Sequence, residues 1–375
     1  MLPLKEVQTN DFCTLKFFNN NTIEELIFKQ LSYQRIKKNF KGFNYGEVII
    51  DFNRIIPQYP SIYRCYNFKK ALSNHFLENE SFIVEEKLDG YNVRIANYLG
   101  KILAFTRGGF VCPYTSELIE DYPSIRRFLL DFPEKIICAE VIGENPYNTL
   151  SKRMYGSKSE IFIFDIMDMK DINCKSRNKS YLLPTYEKMN FFQQYHLQTV
   201  PIIGKYTVKD YKTLKNIIMK MNVEKKEGIV IKPLESRRKY IKYATPYADI
   251  EAITDHMTKS FECDTAHFRK RLFLLASYFL EFSSNNEEIF SFLSTKLKDS
   301  LTSVLTDNQK IEVYDLTINQ ENWLELEKLL SRTLKITILS QKALDNGKQR
   351  IKFEKYYKKT SEFLRGANAG RLFID

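Results

Sequence analysis

The chain reads as an α+β protein, with antiparallel hairpins of short strands flanked by helices. Three observations carry that reading. Residues 81–110, SFIVEEKLDG YNVRIANYLG KILAFTRGGF, run as strand, tight loop, strand, turn and strand. Short apolar runs return at 135–142, 161–167 and 228–233, with helical spacing between them at 116–132 and 180–222. Hydrophobic residues make up 43% of the 375, enough for a sizeable core and too many for a largely disordered chain. The length suits two or three domains. The patterns divide it into an N-terminal module (1–65), a main domain (66–246), a helical region (247–310) and a small α+β domain (311–375).

The elements follow in order. FNYGEVII (43–50) predicts a strand beside a turn, IIPQYPSIYRCY (55–66) an extended connection, and FKKALSNHFL (68–77) a helix. The stretch from Ser81 to Lys87 is rich in β-branched and aromatic residues and predicts a strand. Ile83, Glu85 and Lys87 then share one strand face, and Phe82, Val84 and Glu86 the other. Asp89-Gly90 supplies a turn, a second strand runs from Tyr91 to Tyr98, and Gly100 turns the hairpin. Lys87 thus stands at a strand end against a tight loop, a place where a rigid scaffold fixes the reach of a nucleophile. A lysine amine, with a reference pKa of about 10.4, attacks only when neutral, which desolvation or nearby positive charge favours. Lys-x-Asp-Gly alone is a weak signal, and a solvated lysine beside a hairpin fits it equally.

The third strand ends in Thr106-Arg107-Gly108-Gly109. Arg107 there suits a ribose or phosphate, and an ordinary strand-end turn is the simpler reading. SELIEDYPSIRRFLLDF (116–132) is a helix broken at Pro123. KIICAEVIGENPYNT (135–149) is an apolar strand entering a polar loop. Glu140 follows four apolar residues, where a carboxylate is costly unless paired or bound to a metal or hydroxyl. A strand-end surface glutamate is the alternative. In IFIFDIM (161–167), Phe162 and Phe164 share a face that could stack on a purine or fill the core. KKEGIVIKP (225–233) and RRKYIKYATP (237–246) return to strands bearing Glu227, Lys232, Lys239 and Lys242. A lysine near such a strand end neutralises a phosphate, or belongs to a solvated basic hairpin. Beyond these, 267–282 and 287–305 show broad apolar helical faces. Residues 311–375 read as strand, helix (319–334), strand (335–340) and a basic, tyrosine-bearing final segment (350–364), either RNA-facing or a solvated helix.

Composition limits the classes of function. Net charge is +11, with a pI near 9.1, which suits phosphate-rich partners. The 23 Tyr and 28 Phe can stack on bases as well as fill cores. Cys13, Cys65, Cys112, Cys138, Cys174 and Cys263 form no CxxC or Cys/His cluster, and the four histidines lack metal-ligand spacing, so a zinc site is not expected. There is no P-loop. The start, MLPLKEVQTND, lacks a signal-peptide pattern, and the apolar run at 272–282 is too short for a membrane. A soluble, cytoplasmic protein is expected.

Six stretches, taken in order, resemble the motifs of the covalent nucleotidyltransferase superfamily of ATP-dependent ligases and mRNA capping enzymes. EKLDGYN (86–92) is similar to motif I, TRGG (106–109) to Ia, AEVIG (139–143) to III, FIFDI (162–166) to IIIa, EGIVIK (227–232) to IV and YIKY (240–243) to V. EEKLDGYNVRIA, TRGGFVCPYT, ENPYNT, KYIKYATP and the closing LRGANAGRLFID further resemble the archaeal-type homodimeric ATP-dependent RNA ligases, over nearly the whole chain. Two departures from the wider superfamily stand out. Asn92 occupies a position where DNA ligases and capping enzymes usually have Arg. Motif V lacks the second lysine of Lys-x-Lys, Ala244 being there instead, which leaves open whether Lys232, Lys239 or Lys242 meets the α-phosphate.

The resemblance implies a nucleotidyltransferase core, ATP-grasp-like, of antiparallel sheets with flanking helices; the succession of short strands of the OB-fold barrel that DNA ligases and capping enzymes usually append is not seen in this sequence. It implies that Lys87 attacks the α-phosphate of ATP to form lysyl-AMP. AMP then passes to a 5′-phosphate RNA end, and a 3′-hydroxyl displaces it. Glu86 would lie beside the adenine, with Glu85, Leu88 and Asn92 completing the nucleotide-binding set. Arg107 and Glu140 would hold the ribose, Phe162 or Phe164 would stack on the base, and Lys232 and Lys242 would contact phosphates. Glu227 and Glu140 would hold Mg²⁺ or Mn²⁺. The implied partners are single-stranded RNA with 5′-phosphate and 3′-hydroxyl ends and a second copy of the chain, docked through the helical region. A DNA ligase, a GTP-dependent capping enzyme and a non-catalytic RNA-binding protein on the same scaffold are the rival readings.

Overall fold

A computed structural model describes residues 22–40, 42–51, 54–171, 181–234, 240–259, 265–282, 286–307, 309–344 and 346–371. The segment 1–11, Cys13, Cys174, Cys263, Arg237, Arg238, Lys239 and the closing residues 372–375 lie outside the described residues. In chain order the elements are β1 (Ile23–Phe28), β2 (Leu31–Ile36), β3 (Val48–Asp51), β4 (Arg54–Ile56), β5 (Tyr63–Arg64), α1 (Phe68–His75), β6 (Phe82–Lys87), β7 (Tyr91–Tyr98) and β8 (Lys101–Thr106). Then come α2 (Pro113–Leu118), α3 (Pro123–Asp131), β9 (Lys135–Ile142), α4 (Thr149–Tyr155), β10 (Glu160–Asp168), β11 (Lys170–Asp171), α5 (Thr185–Gln194), β12 (Ile202–Tyr206), α6 (Tyr211–Val223), β13 (Gly228–Pro233) and β14 (Ile241–Ala244). The rest comprises α7 (Pro246–Thr258), α8 (Thr265–Phe282), α9 (Asn286–Asp307), β15 (Ile311–Asn319), α10 (Gln320–Leu330), β16 (Lys335–Ala343), β17 (Lys348–Tyr356) and α11 (Lys358–Asn368). The α+β class is borne out, with antiparallel sheets and flanking helices. The break at Pro123 separates α2 from α3, because proline suits a first helical turn and no later one.

The chain divides into two compact units. One gathers residues 1–60, 92–139 and 165–183. Its first sheet runs β1-β2-β3-β4-β11, over a small core of Ile36, Ile49 and Ile55 with Phe40 and Phe43 against it. Its second sheet comprises β7, β8, residues 135–139 of β9 and residues 165–168 of β10, and the β7–β8 hairpin pairs Tyr98 with Lys101 and Val93 with Thr106.

The other unit gathers residues 61–91, 140–164 and 184–375. Its main sheet runs β12-β6-β13-β14-β5, antiparallel except for the β14–β5 pair. The register aligns Lys87 with Gly228 and Ala244, and Glu85 with Val230 and Lys242. Strand alternation therefore sorts the sheet into two faces. Phe82, Val84, Ile229, Ile231, Ile241 and Tyr243 form the apolar one, packed on Phe68 and Leu72 of α1, Leu214 and Ile218 of α6 and Tyr278 and Phe282 of α8. Each such side chain taken fully out of water stabilises the fold by about 1.5–3 kcal/mol. Glu85, Lys87, Lys232 and Lys242 all fall on the opposite face. One hydrophobic period thus both anchors the sheet and gathers these four charges.

Helices α7 to α9 share the cluster of Ile250, Ile253 and Leu275. The last sheet runs β15-β17-β16, with Trp323 of α10 against Phe353 and Phe353 stacked on Tyr314. The final basic segment is therefore a strand and then a helix. Ile351 and Phe353 alternate inward along β17, and the helix begins only at Lys358. Among the described residues, no helix is long and apolar enough to cross a membrane. Cys65, Cys112 and Cys138 are buried thiols outside any disulfide, and burial, aided by Glu281, pushes Cys65 up to about 12.

Candidate active site

Lys87 closes β6, and its Nζ donates to Glu227 Oε2 at 2.7 Å. Glu227 reaches it because Gly228, the residue that follows, pairs directly with Lys87. A Cβ on Gly228 would stand 2.1 Å from the Tyr243 carbonyl oxygen, and its φ is +144°, so only glycine lets the strands meet there. At Gly90 space alone is limiting, since a Cβ would lie 2.2 Å from the Val141 carbonyl oxygen. The lysine loop is held from the 140s. Glu140 Oε1 accepts from Gly90 N at 3.2 Å, Asn148 Nδ2 donates to Gly90 O at 2.9 Å and to Asp89 Oδ1 at 3.3 Å, and Tyr155 Oη accepts from Asp89 N at 3.1 Å.

Three carboxylates thus act on one amine. Burial disfavours the Lys87 ammonium, but the fields of Glu227, Glu140 and Asp89 outweigh it and hold the pKa above its ordinary value. Desolvation, anticipated as the activator of this lysine, is present and overruled. The carboxyls shift in the opposite sense to a normal ion pair. Burial pushes Glu140 up to about 8 and Asp89 up to about 7. The negative neighbours add to the shift and Lys87 opposes it.

Of the other anticipated residues, Glu85 and Lys232 form a buried ion pair at 2.6 Å, and Lys232 also donates to the Phe164 carbonyl at 2.5 Å. Glu86 takes an ion pair from Lys226 at 2.8 Å, and its N–H donates to the Pro201 carbonyl. Leu88 packs with Ile142 and Val200, and Phe162, Phe164 and Tyr155 lie half-buried against them. That makes an apolar surface with ring faces on the residue next to Lys87. Lys242 lies half-buried on β14, across Val230 from Glu85. These residues all fall in the unit of the main sheet. Asn92 and Arg107 fall in the other unit. There Arg107 is exposed, and its turn is pinned by the buried Arg94, whose guanidinium donates to the carbonyls of Thr106 and Gly46 at 2.8 Å and of Pro57 at 2.9 Å. Sequence patterns assign no role to Arg94, Asn148, Tyr155 or Lys226. Asn148 lies inside the ENPYNT stretch, but its pairing with Asp89 and Gly90, 58 and more residues away, is not readable from spacing.

Among the described residues, no three His, Cys, Asp or Glu side chains group as a metal site. Magnesium is usually held by one or two carboxylates plus substrate phosphates, not by an all-protein cage. Glu227 and Glu140, the two carboxylates acting most strongly on Lys87, fit that donor set.

Residues 80–244 match the family model for RNA ligase. This bears out the resemblance drawn from the six motifs, all of which fall inside that span or at its edge. An uncharacterised protein of Methanocaldococcus jannaschii is 32% identical over 254 residues, 66% of this chain and 62% of that protein, so the match spans less than two thirds of the relative's length. A candidate ATP-dependent DNA ligase from Aquifex aeolicus superposes with a TM-score of 0.85 at 27% identity, covering 96% of this chain and 98% of that one. An archaeal ATP-dependent RNA ligase superposes with a TM-score of 0.81 at 23% identity over 96% of both chains, a likeness of fold.

Proposed function

We propose that this chain, whose residues 80–244 match the family model for RNA ligase, is an ATP-dependent RNA ligase that works through lysyl-AMP on Lys87. The observation that carries the proposal is the position of Lys87. It stands at the end of the charged sheet face, against Glu227, and its chain neighbour Leu88 opens an apolar surface with the rings of Phe162, Phe164 and Tyr155. A purine against those rings would direct its phosphates towards the charged face. In the first step, neutral Nζ attacks the α-phosphorus of ATP. An N–P bond forms, the bond to pyrophosphate breaks, and the proton leaves the amine. Glu227, already accepting from Nζ at 2.7 Å, is the proton acceptor within reach. A divalent cation at Glu227 and Glu140 would supply positive charge that offsets the field holding the proton on Lys87. The AMP then moves to an RNA 5′-phosphate, and a 3′-hydroxyl displaces it. Lys242 and Lys232 share the face on which the phosphates would lie. The exposed apolar residues of α8, among them Phe273 and Leu280, support the helical region as the face of a homodimer.

The test is covalent labelling. AMP-free protein is incubated with α-labelled ATP or, separately, GTP, with Mg²⁺ or Mn²⁺, and denatured. Label from ATP on the wild type and none on Lys87→Ala is the expected result. Label from GTP moves the reading to capping, and no label from either nucleotide sinks the enzyme and favours a binding scaffold. The DNA ligase description of the Aquifex aeolicus structure makes the acceptor the second question. Parallel assays with 5′-phosphorylated RNA and DNA ends decide it, and sealing of RNA is expected.

A further inference from the structure

The small C-terminal domain reaches the lysine loop through a relay of hydrogen bonds. Lys355 lies on the inner face of β17, buried, with its ammonium 4.4 Å from the centre of the Tyr314 ring. It donates to the carbonyl of Pro146. Beside it, the N–H of Asp315 on β15 donates to Glu144 Oε1 at 3.2 Å, and Lys152 pairs with the same carboxylate. Pro146 and Glu144 belong to the loop that follows Glu140. In that loop Asn145 Oδ1 accepts from the N–H groups of Tyr147 and Asn148, at 2.9 and 2.8 Å. This orients Asn148, whose side chain holds Asp89 and Gly90 directly behind Lys87.

An ammonium out of water is costly, and an apolar side chain of similar length would fill the site at no such cost. Burial lowers Lys355 to about 8, the field of Glu312 opposing the shift and that of Lys259 adding to it. The nearby Glu312 is already engaged by Lys259 at 2.5 Å and by the hydroxyls of Tyr314 and Tyr357. What the lysine supplies that a methionine would not is a donor aimed at the Pro146 carbonyl. We infer that Lys355 is a positioning residue for adenylylation, holding the 144–148 loop so that Asn148 fixes the Asp89-Gly90 turn behind Lys87. This inference rests on the ligase reading above.

The test uses the full chain with Lys355→Met, Asn148→Ala and the double variant. The rate of label uptake from ATP is measured in single turnover, beside the ATP dependence and the melting temperature. Misplacement of a reacting group by about 1 Å costs up to about 100-fold, so a 10- to 100-fold slower uptake at saturating ATP is expected for each single variant. Half-saturation by ATP should change less than about twofold, as for an effect confined to the transition state. The Lys355→Met melting temperature should be unchanged or raised, and the double variant should be no slower than Asn148→Ala, because both act along one path. Wild-type rates in Lys355→Met, additive losses in the double variant, or a lowered melting temperature accounting for the loss would each overturn the relay while leaving the ligase reading intact. A wild-type chain that takes no label would overturn both.

Discussion

Lys87 is held protonated by the residues that the proposed chemistry needs beside it. Glu227 is the nearest of them, so removing its charge has a definite sign. Glu227→Gln should move the Lys87 titration to lower pH. The pH dependence of Lys87 acylation by an amine reagent, followed by peptide mass spectrometry, reads this directly, and an unmoved midpoint would contradict the electrostatic account. The carboxyls make a second prediction. Glu140 and Asp89 hold protons up to about pH 8 and 7 in the fold, but release them near pH 4 when the chain unfolds. Between those limits the folded state binds more protons, so their contribution to stability falls as pH rises. Glu140→Gln removes one such group and should raise the melting temperature more at pH 8 than at pH 5. The Lys87 contribution runs with the opposite charge. Its raised pKa stabilises the fold throughout that window and is lost only in alkali, above the ordinary lysine value.

At the scale of the element, the three-stranded run β6-β13-β14 is the unit that gathers the site. Its register is set by the apolar face, since a one-residue slip would turn Lys87 into the core. Gly228 permits the close approach of β13 to β14 at Tyr243. Gly228→Ala should therefore cost about 1–3 kcal/mol in urea unfolding from backbone strain alone. Phe82→Ala, at the fully buried opposite face, should cost about 3–5 kcal/mol. The Glu85–Lys232 pair lies across β6 and β13, with side chains 3% and 1% exposed. Glu85→Gln strands a buried charge and should cost about 3–5 kcal/mol, whereas replacing both partners by methionine should cost far less. Equal losses in the two variants would show that the pair stabilises the fold and would weaken the case for Lys232 as a group kept for phosphate.

On the scale of the whole molecule, the +11 charge and the exposed helical residues concern partners. Phe273 and Leu280 of α8 are 69% and 87% exposed in a single chain. If a second copy covers them, sedimentation equilibrium should return a dimer, and Phe273→Lys with Leu280→Lys should return a monomer that still takes label from ATP. RNA affinity should fall linearly on logarithmic axes as salt rises, by about 0.7 for each phosphate neutralised.

The alternation of Phe82, Val84 and Glu86 against Ile83, Glu85 and Lys87 was legible in the sequence, because strand periodicity is a local property and the core selects one face. So were the turn at Asp89-Gly90, the helix break at Pro123 and the order of the motifs, all of which lie in the span 80–244 that matches the family model for RNA ligase. The electrostatic state of Lys87 was not legible, since it depends on Glu140 and Glu227, 53 and 140 residues away in the chain. The Glu85–Lys232 pair, the turn clamped by Arg94 and the path from Lys355 through Pro146 and Asn148 were hidden for the same reason. Sequence spacing reports which side chains share a strand or a helix face. Which charges share a low-dielectric space is decided only when distant strands pair, and that pairing sets both the proton on Lys87 and the groups that hold it in place.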